Sequence, residues 1–159
     1  MLILDGKAVA ARVLADVRAG VQDFSRKTGV TPTLAVVLVG DFAPSRIYVH
    51  NKKKAADEVG IASRDYLFPE GCSADTLLAT LDGINRDPAI HAVLLQLPLP
   101  AGLDEDAAIN AIAPEKDADG LHPYNLGRLL AGTPTLVACT PAGCQIGRAS
   151  CRERVYVLV

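Results

Sequence analysis

The chain has no tryptophan, only four tyrosines and three phenylalanines, and almost no imbalance of charge. Its formal charge of −2 gives no electrostatic reason to bind nucleic acid or an anionic membrane. Apolar residues nevertheless make up 50% of the chain, which is typical of a folded α/β protein rather than a disordered one. At 159 residues, the chain is long enough to form one domain with its own core.

Long apolar runs are also absent. The amino-terminal run Met1 to Leu4 ends at Asp5, which is too short for a signal peptide, and no stretch approaches the length of a spanning helix. No CxxC pair and no pair of histidines with zinc spacing occurs, so we expect no metal site. We expect reduced thiols in a cytoplasmic protein at Cys72, Cys139, Cys144 and Cys151.

Helical and strand patterns alternate along the chain. Valines at 9, 13, 17 and 21 form one face of a helix, and Gly29 suits its end. The alternation predicts a three-layer α/β fold, with a mostly parallel sheet and helices on both faces. The predicted helices are Lys7 to Lys27, Pro44 to Val59, one capped by Ser73, and Asp104 to Ile112; the predicted strands are Leu34 to Val39, Ile61 to Phe68 and His91 to Leu97.

Polar loops follow the predicted strands. Residues 40–45 follow the first strand, residues 96–100 end the third, and the acidic loop 114–128 comes after the next helix. Ligands of such sheets gather at the carboxyl ends of the strands. We therefore expect these loops to open on one edge of the sheet and to form a site there.

The second predicted helix carries Tyr48 and Lys52 one turn apart, on the same face. A tyrosine and a lysine at this spacing can share a proton. Lys53 and Lys54 point elsewhere around the helix. Taken alone, such a pair is more often a solvated basic stripe with a half-buried tyrosine than a catalytic pair.

Several motifs occur in a fixed order: Ser-Arg-Ile-Tyr-Val-His-Asn-Lys at 45–52, Leu-Gln-Leu-Pro-Leu-Pro at 95–100, Lys-Asp-Ala-Asp-Gly-Leu-His-Pro at 116–123, and Cys-Thr-Pro-Ala-Gly-Cys at 139–144. Over residues 1–145 this series resembles the amino-terminal domain of the bifunctional methylenetetrahydrofolate dehydrogenase/methenyltetrahydrofolate cyclohydrolase family. One departure is Ala138, where the family usually has a proline before Cys-Thr-Pro.

The resemblance implies a role for each matching residue. Lys52 corresponds to the catalytic lysine, Tyr48 to the tyrosine that packs beside it along the folate, and Gln96 to the glutamine that hydrogen-bonds the lysine. Asp119 corresponds to the aspartate that anchors the pterin ring. The matching segments that line the cleft contribute Ser45, Pro98 and Gly143.

The resemblance also implies the reaction. The family oxidises 5,10-methylenetetrahydrofolate to 5,10-methenyltetrahydrofolate with NADP and hydrolyses the product to 10-formyltetrahydrofolate. It thereby places the chain in cytoplasmic one-carbon metabolism, which supports purine biosynthesis. The implied partners are tetrahydrofolate derivatives, and the implied assembly of the full-length protein is a homodimer.

Two features depart from the family. No glycine-rich phosphate-binding turn such as GxGxxG occurs in the chain, so we expect the NADP-binding domain to be absent and the 159-residue chain to lack dehydrogenase activity. From Gly147 onward the charges follow no helical or strand period, and residues 146–155 read like a translated sequencing adapter. We therefore interpret residues 1–145 as a folate-binding catalytic domain and residues 146–159 as a non-native, poorly packed tail.

Two alternatives remain open at this point. One is a short-chain reductase that uses Tyr48 and Lys52, although such an enzyme needs a nucleotide-binding turn upstream of the pair. The other is a non-enzymatic remnant that binds folate or only dimerises.

Overall fold

The structure, a computed structural model, describes residues 5–143. None of the helices in this range is both long and apolar enough to cross a membrane. The elements are α1 (Gly6–Thr28), β1 (Thr33–Val39), α2 (Ala43–Val59), β2 (Ala62–Phe68), α3 (Ala74–Arg86), β3 (Ala92–Leu95), α4 (Glu105–Asn110), a 3-10 turn (Pro114–Lys116) and α5 (Pro123–Leu130).

The three strands form one parallel sheet in the order β2-β1-β3. Alternate residues of β1 face opposite sides of this sheet. Val37 faces a core formed with α3, α4 and β3, whereas Val36 faces a smaller core with Val49 of α2. Helices therefore cover both faces, and the predicted three-layer α/β architecture is confirmed.

The predicted elements form, with ends that differ by a few residues. Gly29 and Gly60 adopt left-handed conformations and end α1 and α2, and the Ser73 side chain caps α3. The strand predicted to reach Leu97 ends at Leu95. The Gln96 N–H still donates to the Val37 carbonyl at 2.9 Å, and the chain then reaches Pro98, which has no N–H to continue the ladder.

The valine face of α1 is less buried than its pattern suggests. No residue of α1 is buried, and the side chains of Val13 and Phe24 are each 44% exposed. The helix lies mainly against α2, where the Arg18 guanidinium donates to the carbonyl of Glu58. The periodicity predicted the helix correctly but could not indicate how much of its apolar face is covered.

The acidic segment 114–128 is not a loop throughout, because its last residues form most of α5, Pro123–Leu130. His122 caps this helix by accepting a hydrogen bond from the Tyr124 N–H, and Pro123 occupies its first turn. A capping side chain followed by proline is a recognisable helix start. The residues between the 3-10 turn and α5 are therefore held between two ordered elements.

Lys116 fixes the acidic loop to the end of α3. Its ammonium group donates to the carbonyls of Ile84, Asn85 and Asp87 at 3.0, 2.8 and 2.8 Å. The last carbonyls of a helix lack partners within the helix, and a lysine there also interacts favourably with the helix dipole. Lys116 therefore holds the start of the acidic loop against the end of α3.

We expect Lys116→Met to lower the free energy of unfolding by about 2–3 kcal/mol, because carbonyls that were bound to a charged donor lose that donor. Urea denaturation followed by circular dichroism measures the change. Lys54→Met is the matched control, since Lys54 is exposed on α2. Equal urea midpoints for the two variants would refute the anchoring role of Lys116.

Candidate functional site

The central feature of the site is the approach of Lys52 to Asp119. Lys52 Nζ, on α2, lies 3.8 Å from Asp119 Oδ1, in the loop after the 3-10 turn. Their side chains are 38% and 26% exposed. The separation is longer than a direct hydrogen bond, so both groups keep bonding capacity for a ligand.

Asp119 owes its place to the neighbouring Asp117, which the sequence interpretation did not select. Asp117 is 3% exposed. Its Oδ1 accepts from the Gly120 N–H at 3.0 Å, and its Oδ2 accepts from the His122 N–H at 2.8 Å. The buried carboxylate thus folds the chain tightly around Asp119 and leaves the Asp119 side chain facing α2. An aspartate three residues before a glycine is the sequence signal of such a turn.

Gly120 completes the turn. Its φ is +67°, in the left-handed region that favours glycine. A Cβ at this position would lie 2.7 Å from the backbone of both Val137 and Ala138. The backbone of residues 137 and 138 therefore packs directly against the turn at Gly120.

Tyr48 and Gln96 differ in burial, since Tyr48 is exposed and Gln96 is partly buried. Tyr48 is one helical turn before Lys52, and it is 61% exposed. Gln96 follows β3, where its Nε2 donates to the Leu97 carbonyl at 2.6 Å. No hydrogen bond joins Gln96 to Lys52 among residues 5–143, and Gln96 Oε1 is buried without a partner there. The hydrogen bond implied by the resemblance is therefore not formed in this structure, because the amide group is turned toward the backbone.

The remaining candidates lie in different parts of the structure. Ser45 is buried in the first turn of α2, and Gly143 is exposed at the end of the described range. Pro98 lines an open cleft of about 390 Å³ that also includes Phe42 and Glu70. The predictions for Cys144, Cys151 and the tail lie outside the described residues.

Burial raises the pKa of Asp119, and the charge of Asp117 adds to this shift, while the Lys52 ammonium opposes it. Burial also raises the pKa of the Cys139 thiol, and the Asp119 carboxylate acts in the same direction. Cys139 donates to the Ala118 carbonyl at 3.5 Å and is therefore close to the turn. The site holds one partly desolvated carboxylate beside one ammonium group.

We expect Asp119→Asn to raise the melting temperature at pH 7. With its raised pKa, folded Asp119 binds a proton more tightly than unfolded Asp119, so stability falls as pH rises through the range between the two pKa values. The asparagine variant removes that cost. Its advantage should disappear below about pH 4, where the carboxyl group is protonated in both states.

Differential scanning calorimetry of both proteins from pH 3.5 to 8 measures this effect. Asp57→Asn is the control, because Asp57 is exposed on α2 and loses the same charge. A melting temperature that falls at pH 7 in the Asp119 variant would show that the ionised carboxylate stabilises the fold.

The turn between β1 and α2 does not fit the phosphates of a dinucleotide. The turn between β1 and α2 contains one glycine, Gly40, and places the Asp41 carboxylate in ion-pair contact with Arg46 at the start of α2. Glu70 lies on the same cleft. Phosphate-binding turns instead offer free backbone N–H groups and no carboxylate.

Comparison with known proteins identifies relatives of the chain. Residues 4–119 match the family described as "Tetrahydrofolate dehydrogenase/cyclohydrolase, catalytic domain". The chain is 51% identical over 141 residues to "Bifunctional protein FolD 2" of Myxococcus xanthus, covering 89% of the chain and 49% of that protein. It is 47% identical to "Bifunctional protein FolD" of Methanosarcina mazei over the same shares. The chain spans about half the length of these curated relatives.

Solved structures agree with these relatives. The bifunctional enzyme FolD of Campylobacter jejuni, a methylenetetrahydrofolate dehydrogenase/cyclohydrolase, superposes with a TM-score of 0.90 at 37% identity, over 96% of this chain and 54% of that one. The Trypanosoma brucei enzyme, solved with NADP cofactor and an inhibitor, gives a TM-score of 0.88 at 33% identity, over 94% and 52%.

Proposed function

The chain belongs to the tetrahydrofolate dehydrogenase/cyclohydrolase family, and from this premise we propose that it is the folate-binding part of a bifunctional enzyme. That enzyme oxidises 5,10-methylenetetrahydrofolate to 5,10-methenyltetrahydrofolate with NADP and hydrolyses the product to 10-formyltetrahydrofolate. The observation that carries the proposal is the 3.8 Å approach of Lys52 to Asp119 across two elements far apart in the sequence. Asp119 can accept hydrogen bonds from pterin N–H groups, and Lys52 can carry a proton.

Asp119 is the proposed anchor for the pterin ring. An ionised carboxylate can accept hydrogen bonds from two adjacent N–H donors, and such charge-assisted pairs are strong and directional. Asp119 is three-quarters buried and is not fully satisfied by Lys52, because the two atoms are 3.8 Å apart. A pterin would therefore gain the carboxylate without breaking an existing hydrogen bond.

Lys52 is the proposed proton carrier for the hydrolysis step. Water adds to the methenyl carbon and gives up one proton to the Lys52 amine. The adduct then opens as one C–N bond breaks: the departing nitrogen takes that proton from the Lys52 ammonium, and the hydroxyl releases its own proton to solvent as the formyl C=O forms. Gln96 Oε1, buried without a partner, is the acceptor that would orient Lys52 once a ligand occupies Asp119.

Tyr48 supplies an apolar wall beside these groups. Its ring is 61% exposed and lies one turn from Lys52, so a flat aromatic group on the substrate can pack against it. Ser45, Pro98 and Gly143 are proposed to line the cleft with less direct roles.

NADP supplies the hydride acceptor in the whole enzyme, and we propose that it is bound outside the described residues. This assignment agrees with the poor fit of the turn between β1 and α2 to phosphates. Hydride transfer requires the nicotinamide to be held close to the methylene carbon. The residues described for this chain contribute the folate side of that arrangement.

The location and assembly of the protein are also inferred from its family. We propose a cytoplasmic enzyme that acts as a homodimer when full length. The short-chain reductase alternative is no longer needed, because the family match covers both Tyr48 and Lys52. A folate-binding chain without catalysis remains the second candidate, favoured by the same half-length coverage of the relatives.

Two assays test the proposal. Isothermal titration of the purified chain with tetrahydrofolate tests binding, and we expect weak but saturable binding. A chimera that joins residues 1–143 to the second half of the Myxococcus xanthus relative tests turnover, and we expect both activities from it. Failure of the chain to bind tetrahydrofolate, together with an inactive but folded chimera, would refute the proposed function. Binding without turnover would favour the second candidate.

A further inference from the structure

Beneath the site lies a buried polar network that the proposed chemistry does not use. Asn125, on α5, is 1% exposed. Its Nδ2 donates to the Pro114 carbonyl at 2.8 Å and to Asp117 Oδ2 at 3.0 Å. Its Oδ1 accepts from the Thr135 hydroxyl at 3.1 Å. All the hydrogen-bonding capacity of the amide nitrogen is therefore used between the two ends of the site loop.

This network acts on the residue next to the proposed pterin ligand. Asp117 pairs with Val93 of β3 as a single bridge, and the Ala118 N–H donates to the Val93 carbonyl at 3.0 Å. The backbone on one side of Asp119 is thus attached to the sheet. On the other side it is held by the Asp117 carboxylate, whose position depends on the amide of Asn125.

We propose that Asn125 is a positioning residue for the folate site: it holds the Asp117 carboxylate, and through it sets where the Asp119 side chain stands relative to Lys52. This inference rests on the proposed function and deepens it. The hydrogen bonds of the Asn125 side chain go to Pro114, Asp117 and Thr135, not to Lys52 or Asp119. Its effect on ligand binding is therefore indirect and can be separated from a simple contribution to folding.

The choice of an amide at this position has a chemical reason. A buried carboxylate needs donors, and an asparagine supplies them without adding charge. An aspartate at position 125 would have the same shape but would place a second negative charge beside Asp117. The charged groups that act on Asp119 are Lys52 from α2 and Asp117 within the loop.

The experiment compares the full chain with Asn125→Leu and Asn125→Asp, using tetrahydrofolate as the probe in isothermal titrations from pH 5 to 8. We expect both variants to bind about tenfold more weakly at pH 7, the equivalent of one charge-assisted hydrogen bond. The added carboxylate of Asn125→Asp should also move the acid limb of binding to higher pH, because a further negative charge raises the pKa of Asp119. Weaker binding by variants that remain folded by circular dichroism is the result that a contribution to folding alone would not produce. Asn110→Leu, at an exposed asparagine of α4, is the control.

Should the Asn125 variants fail to fold, the variants Thr135→Val and Thr135→Ser test the inference instead. Only the valine variant removes the hydroxyl from which Asn125 Oδ1 accepts a hydrogen bond. We expect about threefold weaker binding for valine, the scale of one neutral hydrogen bond, and recovery with serine. Folded variants that bind like wild type, at either position, overturn the inference while the proposed function stands. A wild-type chain that binds no tetrahydrofolate overturns both.

Discussion

Replacing Lys52 with glutamine should abolish hydrolysis of the methenyl group in the chimera while leaving tetrahydrofolate binding within a few-fold of wild type. The glutamine keeps a polar side chain, shorter than that of lysine, but can neither carry nor deliver a proton. A positioned proton carrier accounts for ~10²–10⁴ in rate, so a loss of that size is expected. The decrease in absorbance of the methenyl compound measures the rate, and calorimetry measures binding.

Two neighbouring lysines are the controls for this prediction. Lys53 forms an ion pair with Asp65 of β2, and Lys54 is exposed on another side of α2. Lys53→Gln and Lys54→Gln should therefore leave hydrolysis nearly unchanged. Losses of similar size at all three positions would mean that the lysines act only as a basic patch.

Replacing Gly120 with alanine should have the largest effect on the fold of the site. The new Cβ would lie 2.7 Å from backbone atoms of Val137 and Ala138, so one of the two crossing segments has to move. We expect a loss of roughly 2–4 kcal/mol in the free energy of unfolding, from strain together with overpacking. Tetrahydrofolate binding should disappear, because Asp119 moves with the turn.

Gly132→Ala is the control that separates backbone strain from overpacking. Gly132 has a similar φ, +75°, but a Cβ there meets nothing within 4 Å. It should cost only the left-handed strain, about 1 kcal/mol, and leave binding unchanged. Urea denaturation and calorimetry of both variants provide the comparison. If both alanine variants are destabilised equally, the close packing of residues 137 and 138 against the turn does not add to the cost of a Cβ at Gly120.

Much of the fold could be predicted from the sequence because its signals are local. The four-residue recurrence of valine gave α1, and the glycines at 29 and 60 gave the ends of α1 and α2. The aliphatic run of β1 is typical of a buried parallel strand, and β1 is buried from Ala35 to Val39 in the middle of the parallel sheet. Exposure of the α1 valines could not be predicted, because it depends on which element packs against them.

The site was predictable only in part. Spacing put Tyr48 and Lys52 on one face of a helix, and the resemblance supplied Asp119, but the approach of the two charges is a tertiary fact. Asp117 and Asn125 were missed since a buried carboxylate and its amide donor look, in sequence, like ordinary polar loop residues. Their importance comes from hydrogen bonds between segments, as the Asn125–Asp117 contact of 3.0 Å illustrates.

The most direct test of the central claim, that Asp119 beside Lys52 forms a folate site, is the affinity for tetrahydrofolate of the Asp119→Asn variant at pH 7. The asparagine keeps the shape of the side chain but cannot accept two charge-assisted hydrogen bonds. We predict binding weaker by at least about thirtyfold, the equivalent of roughly 2 kcal/mol, while Asp57→Asn binds like wild type. Equal affinities for the two asparagine variants would contradict the account.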